Sequence, residues 1–190
     1  MKAITISAAA LAAVTLAACG SVEVSNEVDP AMQEVMDRVA IEDMVTEYYA
    51  HLGGGDASAF DEYFTEDAIF DVNGIVANGR AEIEEIYAGI GEDATSASNG
   101  GGQFHMILSN PVIEVDGDAA TASFIWTGIR NADISAPPVF VEQGREYDKL
   151  VKVDGQWKFQ HRVVIAESGL PENQYEDWTP RLDFSFDDME

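Results

Sequence analysis

Cysteine is nearly missing from this chain: there is one in 190 residues, Cys19. A lone cysteine excludes an internal disulfide, so the fold must rest on its core. Bases are scarce as well. Ten Lys and Arg face 35 Asp and Glu, for a net charge of −25. A surface this acidic repels nucleic acid and gains nothing from anionic lipid headgroups, so a nucleic-acid partner is not expected. The longest apolar run, 3–14, is interrupted by Thr5 and Ser7. It falls short of the roughly 20 residues that a bilayer-spanning helix needs. Histidine occurs only at His51, His105 and His161. No His-Glu-x-x-His pair and no Gly-Lys-Ser/Thr phosphate loop is present, so no metal and no cofactor is expected. Serine is sparse near the histidines, which leaves a Ser/His/Asp hydrolase unsupported. No repeat at solenoid or propeller periods occurs.

What is present starts at the N-terminus. Met1-Lys2 is positively charged and the apolar run follows, as in a secretory signal. Leu16-Ala17-Ala18-Cys19-Gly20 then resembles the lipobox of bacterial lipoproteins. That resemblance implies a signal peptide, 1–18, cut before Cys19, and lipid attached to Cys19. Residues 19–29, polar and without pattern, would be the tether. Several acyl chains anchor a protein far more firmly than one. Gly rather than Asp at position 20 lacks the inner-membrane retention signal. By the same resemblance the chain belongs in the cell envelope, on the outer membrane and facing the periplasm. The remaining ~170 residues suit one domain.

The chain then reads as α+β. Asp29-Pro30 is an N-cap carboxylate followed by proline at the first helical position. A helix is predicted to about Leu52, with Ile41, Val45, Tyr48 and Leu52 at helical spacing, and Gly53-Gly54-Gly55 ends it. Asp56 starts a short second helix over 57–64, with Phe60, Tyr63 and Phe64 inward. Strands at 68–72 and 75–78 flank an Asn73-Gly74 turn. A third helix covers 80–90, with Ile83, Ile86, Tyr87 and Ile90 on one face. Residues 91–102, rich in Gly, Ser, Ala and Asn, read as a loop long enough to form a lid or mouth. Long strands follow at 103–115, 119–130, 139–153 and 157–166. The first is bent at Asn110-Pro111, because proline cannot donate to a central ladder. Three helices packed on one face of a curved sheet would build the domain, 30–166. An acidic, aromatic tail, 167–190, would wrap it or stay loose.

This order resembles the nuclear-transport-factor-2-like (NTF2-like) superfamily, and within it the SnoaL-like proteins. The segments that carry the resemblance are Met44-Val45-Thr46-Glu47-Tyr48-Tyr49-Ala50-His51-Leu52-Gly53-Gly54-Gly55-Asp56, Phe64-Thr65-Glu66-Asp67-Ala68, His105 through Asp118, and Val153-Asp154-Gly155-Gln156-Trp157-Lys158-Phe159. It implies a cone: a strongly curved, mostly antiparallel sheet wrapped on helices, with an apolar cavity at the open end. The superfamily includes dehydratases, isomerases and proteins without activity, so the fold does not supply the function.

Strict alternation in the last strand would put Trp157, Phe159, His161, Val163 and Ile165 on one inward face. His161 would then line the cavity with Trp126, Phe159 and Tyr49; the plainer reading is a hydrogen-bonded core histidine. The position of His105 resembles that of the catalytic histidine of scytalone dehydratase. A near-neutral imidazole suits an acid/base step. Tyr48 matches the oxyanion-hole tyrosine of ketosteroid isomerase, and a buried phenol can stabilise a developing oxyanion. The general base of that isomerase would fall at Val72, which takes no proton. Neighbouring Asp71 points to the other face. His51, in the last turn of its helix, reads as an exposed or capping residue.

Three functions follow. The first is a membrane-tethered domain that binds a small apolar or aromatic molecule. The second is a dehydratase or isomerase with His105 as acid/base and Tyr48 as donor. The third is an envelope assembly module, a homodimer built on the outer face of the sheet, as family members commonly are.

Overall fold

The computed structural model describes residues 28–52, 60, 62–88, 103–131, 133–169 and 179–189. Cys19, the signal and most of the tether lie outside them. Helix α1 spans Pro30–Leu52. Asp29 caps it as expected, its Oδ1 accepting from the Ala31 amide at 2.9 Å. Ile41, Val45, Tyr48 and Tyr49 form its buried side. Strands β1 (Phe64–Val72) and β2 (Ile75–Asn78) make a hairpin. Its turn needs positive φ at both central residues, and Asn73 and Gly74 adopt 54° and 85°. Helix α2 follows over 80–88 and buries Ile83 and Tyr87. Then come β3 (Gln103–Asp116), β4 (Ala119–Asn131), β5 (Val139–Val153) and β6 (Gln156–Ser168).

The six strands form one sheet in the order β2-β1-β6-β5-β4-β3. β1 runs parallel to β6 and every other pairing is antiparallel. The sheet is therefore mixed. Among the described residues there are two helices rather than the three expected. Residues 57–59 and 61 of the predicted second helix lie outside the description. Residues 60 and 62–63 form a tight 3-10 turn, and Phe64 already belongs to β1. The reason lies in tertiary contacts. Phe64 pairs with Phe159 across the parallel ladder. Its carbonyl also accepts from Arg80 Nη2 at 2.9 Å. Sheet pairing claims a residue that local periodicity had assigned to a helix.

Register breaks bend the sheet. One falls at Asn110-Pro111 in β3, as the proline foretold, with Asn110 at φ 53°. A second places Gln160 of β6 as an extra residue, because Leu150 pairs with Phe159 and Lys149 with His161. A third makes Val141 the extra residue of β5, because Gly128 pairs with Glu142 and Ile129 with Phe140. An added residue kinks a strand and raises its twist. The concave face holds the aromatic core of Tyr48, Phe60, Phe64, Phe70, Tyr87, Phe124 and Phe159. A smaller cluster covers part of the convex face, where Phe184 and Met189 pack on Val163 and Ile165 with Tyr147. Arg145 donates to the Leu182 carbonyl at 3.1 Å, and Arg181 reaches Asp71 at 2.9 Å. Residues 179–189 of the tail thus lie against the sheet.

A buried charge cluster as the candidate site

The bulge at Gln160 decides what the sheet encloses. Before it, Trp157 and Phe159 face the core. After it the phase is reversed: Arg162 pairs with Asp148 on the concave side, and His161 pairs with Lys149 on the convex side. The single inward face assigned to Trp157, Phe159, His161, Val163 and Ile165 therefore breaks after Phe159. A one-residue slip sends each later side chain to the other face. Val163 and Ile165 turn outward to meet the tail.

Arg162 occupies the inward place instead, fully buried with Glu146 and Asp148. Its Nη2 lies 2.6 Å from Glu146 Oε2, and its Nη1 lies 3.4 Å from Asp148 Oδ1. The Tyr49 hydroxyl accepts from Arg162 Nη2 at 3.0 Å and donates to Glu146 Oε2. The guanidinium carbon stands 4.3 Å from the ring centres of both Tyr48 and Phe159. Tyr48 is also hydrogen-bonded, hydroxyl to hydroxyl, to Tyr87 of α2. A cation sandwiched between ring faces and anchored by carboxylates recovers part of its hydration cost.

One cation faces two acids here, and a net buried charge is expensive. Burial pushes the Asp148 carboxyl well above the usual range; Arg162 opposes the rise and Glu146 adds to it. Burial also raises Glu146, against Arg162 and the Tyr49 hydroxyl, which both hold its charged form. Burial alone would lower Arg162, but Asp148 and Glu146 together carry it well above its ordinary value. Glu146 has the shorter contact to Arg162 and the added Tyr49 donor, so Asp148 is pushed further toward its neutral form than Glu146. Burial likewise raises Tyr48, Tyr49 and Tyr87, so these phenols stay neutral.

The cluster is incompletely paired. Glu146 Oε1, both Asp148 carboxyl oxygens, and Arg162 Nε and Nη1 have no hydrogen-bond partner among the described residues, although Nη1 and Asp148 Oδ1 are within ion-pair distance. The same holds for Trp126 Nε1 on β4. Trp126 is buried over Gly144 of β5, where a Cβ would stand 2.4 Å from the indole. Only glycine admits that approach. Glu142, on the concave side across from Gly128, is raised by burial, with Arg130 opposing.

Of the residues singled out from sequence, Tyr48, Tyr49 and Phe159 meet around Arg162, and Trp126 is buried on the same face. The histidines do not join them. His105 is exposed on the convex face of β3, across from Ile129. His161 is half-buried on that face, and burial, then Lys149, lowers its pKa while Asp71 opposes. His51 sits near Tyr63, ring centres 6.2 Å apart. Sequence reasoning missed Glu146, Asp148 and Arg162. A signal for the acids existed: Gly144, Glu146, Asp148 and Leu150 share one face by simple alternation. Arg162 had none, because the bulge hides its phase.

A helix-backed, curved mixed sheet is the NTF2-like, cystatin-like fold. An NTF2-like protein with a cystatin-like fold from Novosphingobium aromaticivorans shares 21% identity at a TM-score of 0.61, over 78% of this chain and 94% of that one. A candidate scytalone dehydratase from the same organism shares 24% identity at a TM-score of 0.59, over 74% and 92% of the two chains. ActVI-ORFA from Streptomyces coelicolor shares 21% identity at a TM-score of 0.61, over 72% and 99%. The profile of the SnoaL-like domain matches residues 33–163, and the chain belongs to that family. Comparison with the curated proteins finds no match.

Proposed function

We propose that this chain is a small-molecule-binding domain of the bacterial cell envelope, tethered through lipid on Cys19, whose ligand engages Arg162, Glu146 and Asp148. The unpartnered polar atoms of these three fully buried side chains carry the reading. Buried polar groups are almost always partnered, and each orphan costs about 1–3 kcal/mol. A fold that retains several in one place presents them to something else. Arg162 Nε and Nη1 and the Trp126 indole offer donors; Glu146 Oε1 and the Asp148 carboxyl oxygens offer acceptors. The rings of Tyr48, Phe124 and Phe159 surround these atoms with apolar surface. Two acids against one base disfavour an anionic ligand, so an uncharged apolar or aromatic molecule with a carbonyl or hydroxyl fits best. The lipobox supports the tether.

A second reading is acid–base chemistry of the dehydratase or isomerase class, favoured by the Asp148 carboxyl, which is fully buried beside Arg162 and shifted by that burial toward its neutral form. A carboxyl kept neutral by its surroundings is a competent proton donor. In this reading Asp148 takes the part that the sequence assigned to His105, and Tyr48 keeps its part as a donor. The candidate scytalone dehydratase among the structural relatives accords with it.

Thermal shift and calorimetry with a panel of uncharged bicyclic phenols and hydroxy-ketones test the proposal. At least one compound should raise the Tm of the parent chain, keep its effect in His105→Ala and lose it in Asp148→Asn. A compound whose affinity is the same in Asp148→Asn and Arg162→Met as in the parent binds elsewhere and sinks the proposal. Turnover of the bound compound, lost in Asp148→Asn, selects the enzyme reading.

A further inference from the structure

Helix α1 has a second apolar side that the domain does not use. Met32, Val35, Met36 and Val39 are each 52–56% exposed, and Val28, just before the cap, is 49% exposed. At about 100° per residue these four helical positions fall within one sector about 100° wide, with Val39 about 160° from buried Ile41. The acids of the same turns, Glu34 and Asp37, project from other sides of the helix; Asp37 is turned inward to Lys152, at 2.6 Å. The stripe stops at Glu42 and Asp43, both exposed. Beside it Val35, Arg38, Val39 and Glu42 form a groove of about 170 Å³ with Pro111 and Ile113 of β3. Arg38 is the only Lys or Arg of α1.

We infer that this stripe lies on the surface of the membrane to which Cys19 is anchored. The inference rests on the lipid tether proposed above. Nine peptide steps separate Cys19 from Val28, a reach of at most ~30 Å. The acyl-anchored end therefore delivers the start of α1 to the bilayer, and the apolar sector occupies only the turns nearest that end. An interfacial helix buries such a sector at the level where headgroup and acyl chain meet. Tethering raises the local concentration of lipid, so a stripe too weak to bind from solution still docks. Arg38 at the rim can hold a headgroup phosphate while its stem covers apolar surface. Elsewhere a surface with net charge −25 is repelled by anionic headgroups, which leaves this acid-free sector as the face that approaches. A second copy packed stripe to stripe would bring the exposed Glu42 and Asp43 at the end of the sector against a like-charged helix.

The test uses the full acylated chain in vesicles of phosphatidylethanolamine and phosphatidylglycerol. Single cysteines replace Met32, Val35, Met36 and Val39 in turn, with Glu34→Cys as control; with the Cys19 thiol acylated, each new thiol is the one free to take a nitroxide. Labels at the four stripe positions should show several-fold higher oxygen accessibility and several-fold lower nickel-chelate accessibility than the control. The mass of the N-terminal peptide is measured on the same sample. An unmodified Cys19 overturns the tether and this inference with it. An acylated Cys19 with stripe labels as open to chelate as the control overturns the docking alone. So does spin–spin broadening between chains, which would identify a second copy as the occupant.

Discussion

Arg162 Nη2 and Glu146 Oε2 stand 2.6 Å apart with neither side chain exposed, on adjacent antiparallel strands of one sheet. With Asp148 they place a cation and two acids inside a core that is otherwise largely aromatic.

Removing the cation should cost more than removing the whole cluster. Arg162→Met leaves two carboxyls without their counter-ion, and breaking a buried pair from one side costs about 3–5 kcal/mol. Replacing Arg162, Glu146 and Asp148 together by Met, Leu and Leu should recover most of that loss. Urea denaturation of both variants measures it. Equal destabilisation of the two would show that packing, not charge, sets the cost.

The raised pKa of Asp148 gives stability a definite pH dependence. Its folded-state pKa is raised by burial well above the usual carboxylate range. A raised carboxyl binds its proton more tightly in the folded chain. Its contribution is therefore complete below about pH 4 and is lost as pH rises from there through the folded pKa, at up to about 1.4 kcal/mol per pH unit. Asp148→Asn removes this fall. Denaturation at a series of pH values should give a flatter profile for the variant across that window; parallel profiles would place the proton elsewhere.

Gln160 should matter as a spacer and not as a side chain. Deleting it removes the bulge yet leaves Phe159 and Arg162 on the concave side and His161 on the convex side. The variant should keep its fold by circular dichroism and lose about 0.5–3 kcal/mol with the local kink. A variant that fails to fold would show that the kink itself is indispensable. Gln160→Ala keeps the extra residue at an exposed position and should change stability by no more than about 0.5 kcal/mol.

Gly144→Ala inserts a Cβ 2.1 Å from the Ile165 carbonyl oxygen and 2.4 Å from the Trp126 ring. Overpacking costs about 1–3 kcal/mol when side chains can shift, and here backbone must also move. A lower urea midpoint with altered tryptophan fluorescence is expected; a parent-like midpoint would show that the strands separate freely at this point.

Much of the framework was legible in advance. Asp29-Pro30 marks the start of α1, Asn73-Gly74 marks the first hairpin, and Asn110-Pro111 marks the bend in β3. Each is a local rule, written in residues a few positions apart. The placement of Tyr48 on the buried side of α1 follows from helical spacing alone. The site was less legible. The reading looked for histidines, whereas His105 and His161 stand on the convex face, and the buried titratable groups are carboxyls with an arginine.

The sequence by itself determined the composition, the acidic surface, the α+β order and the family, because those depend on counts, short periods and nearby residues. Only the tertiary structure decided that Phe64 is a strand residue, that Gln160 is the extra one, and that Arg162 and not His161 enters the core. Those outcomes depend on which strand lies beside which and in what register. One residue of slip in β6 reverses every side chain beyond it, and nothing local to Gln160 announces the slip.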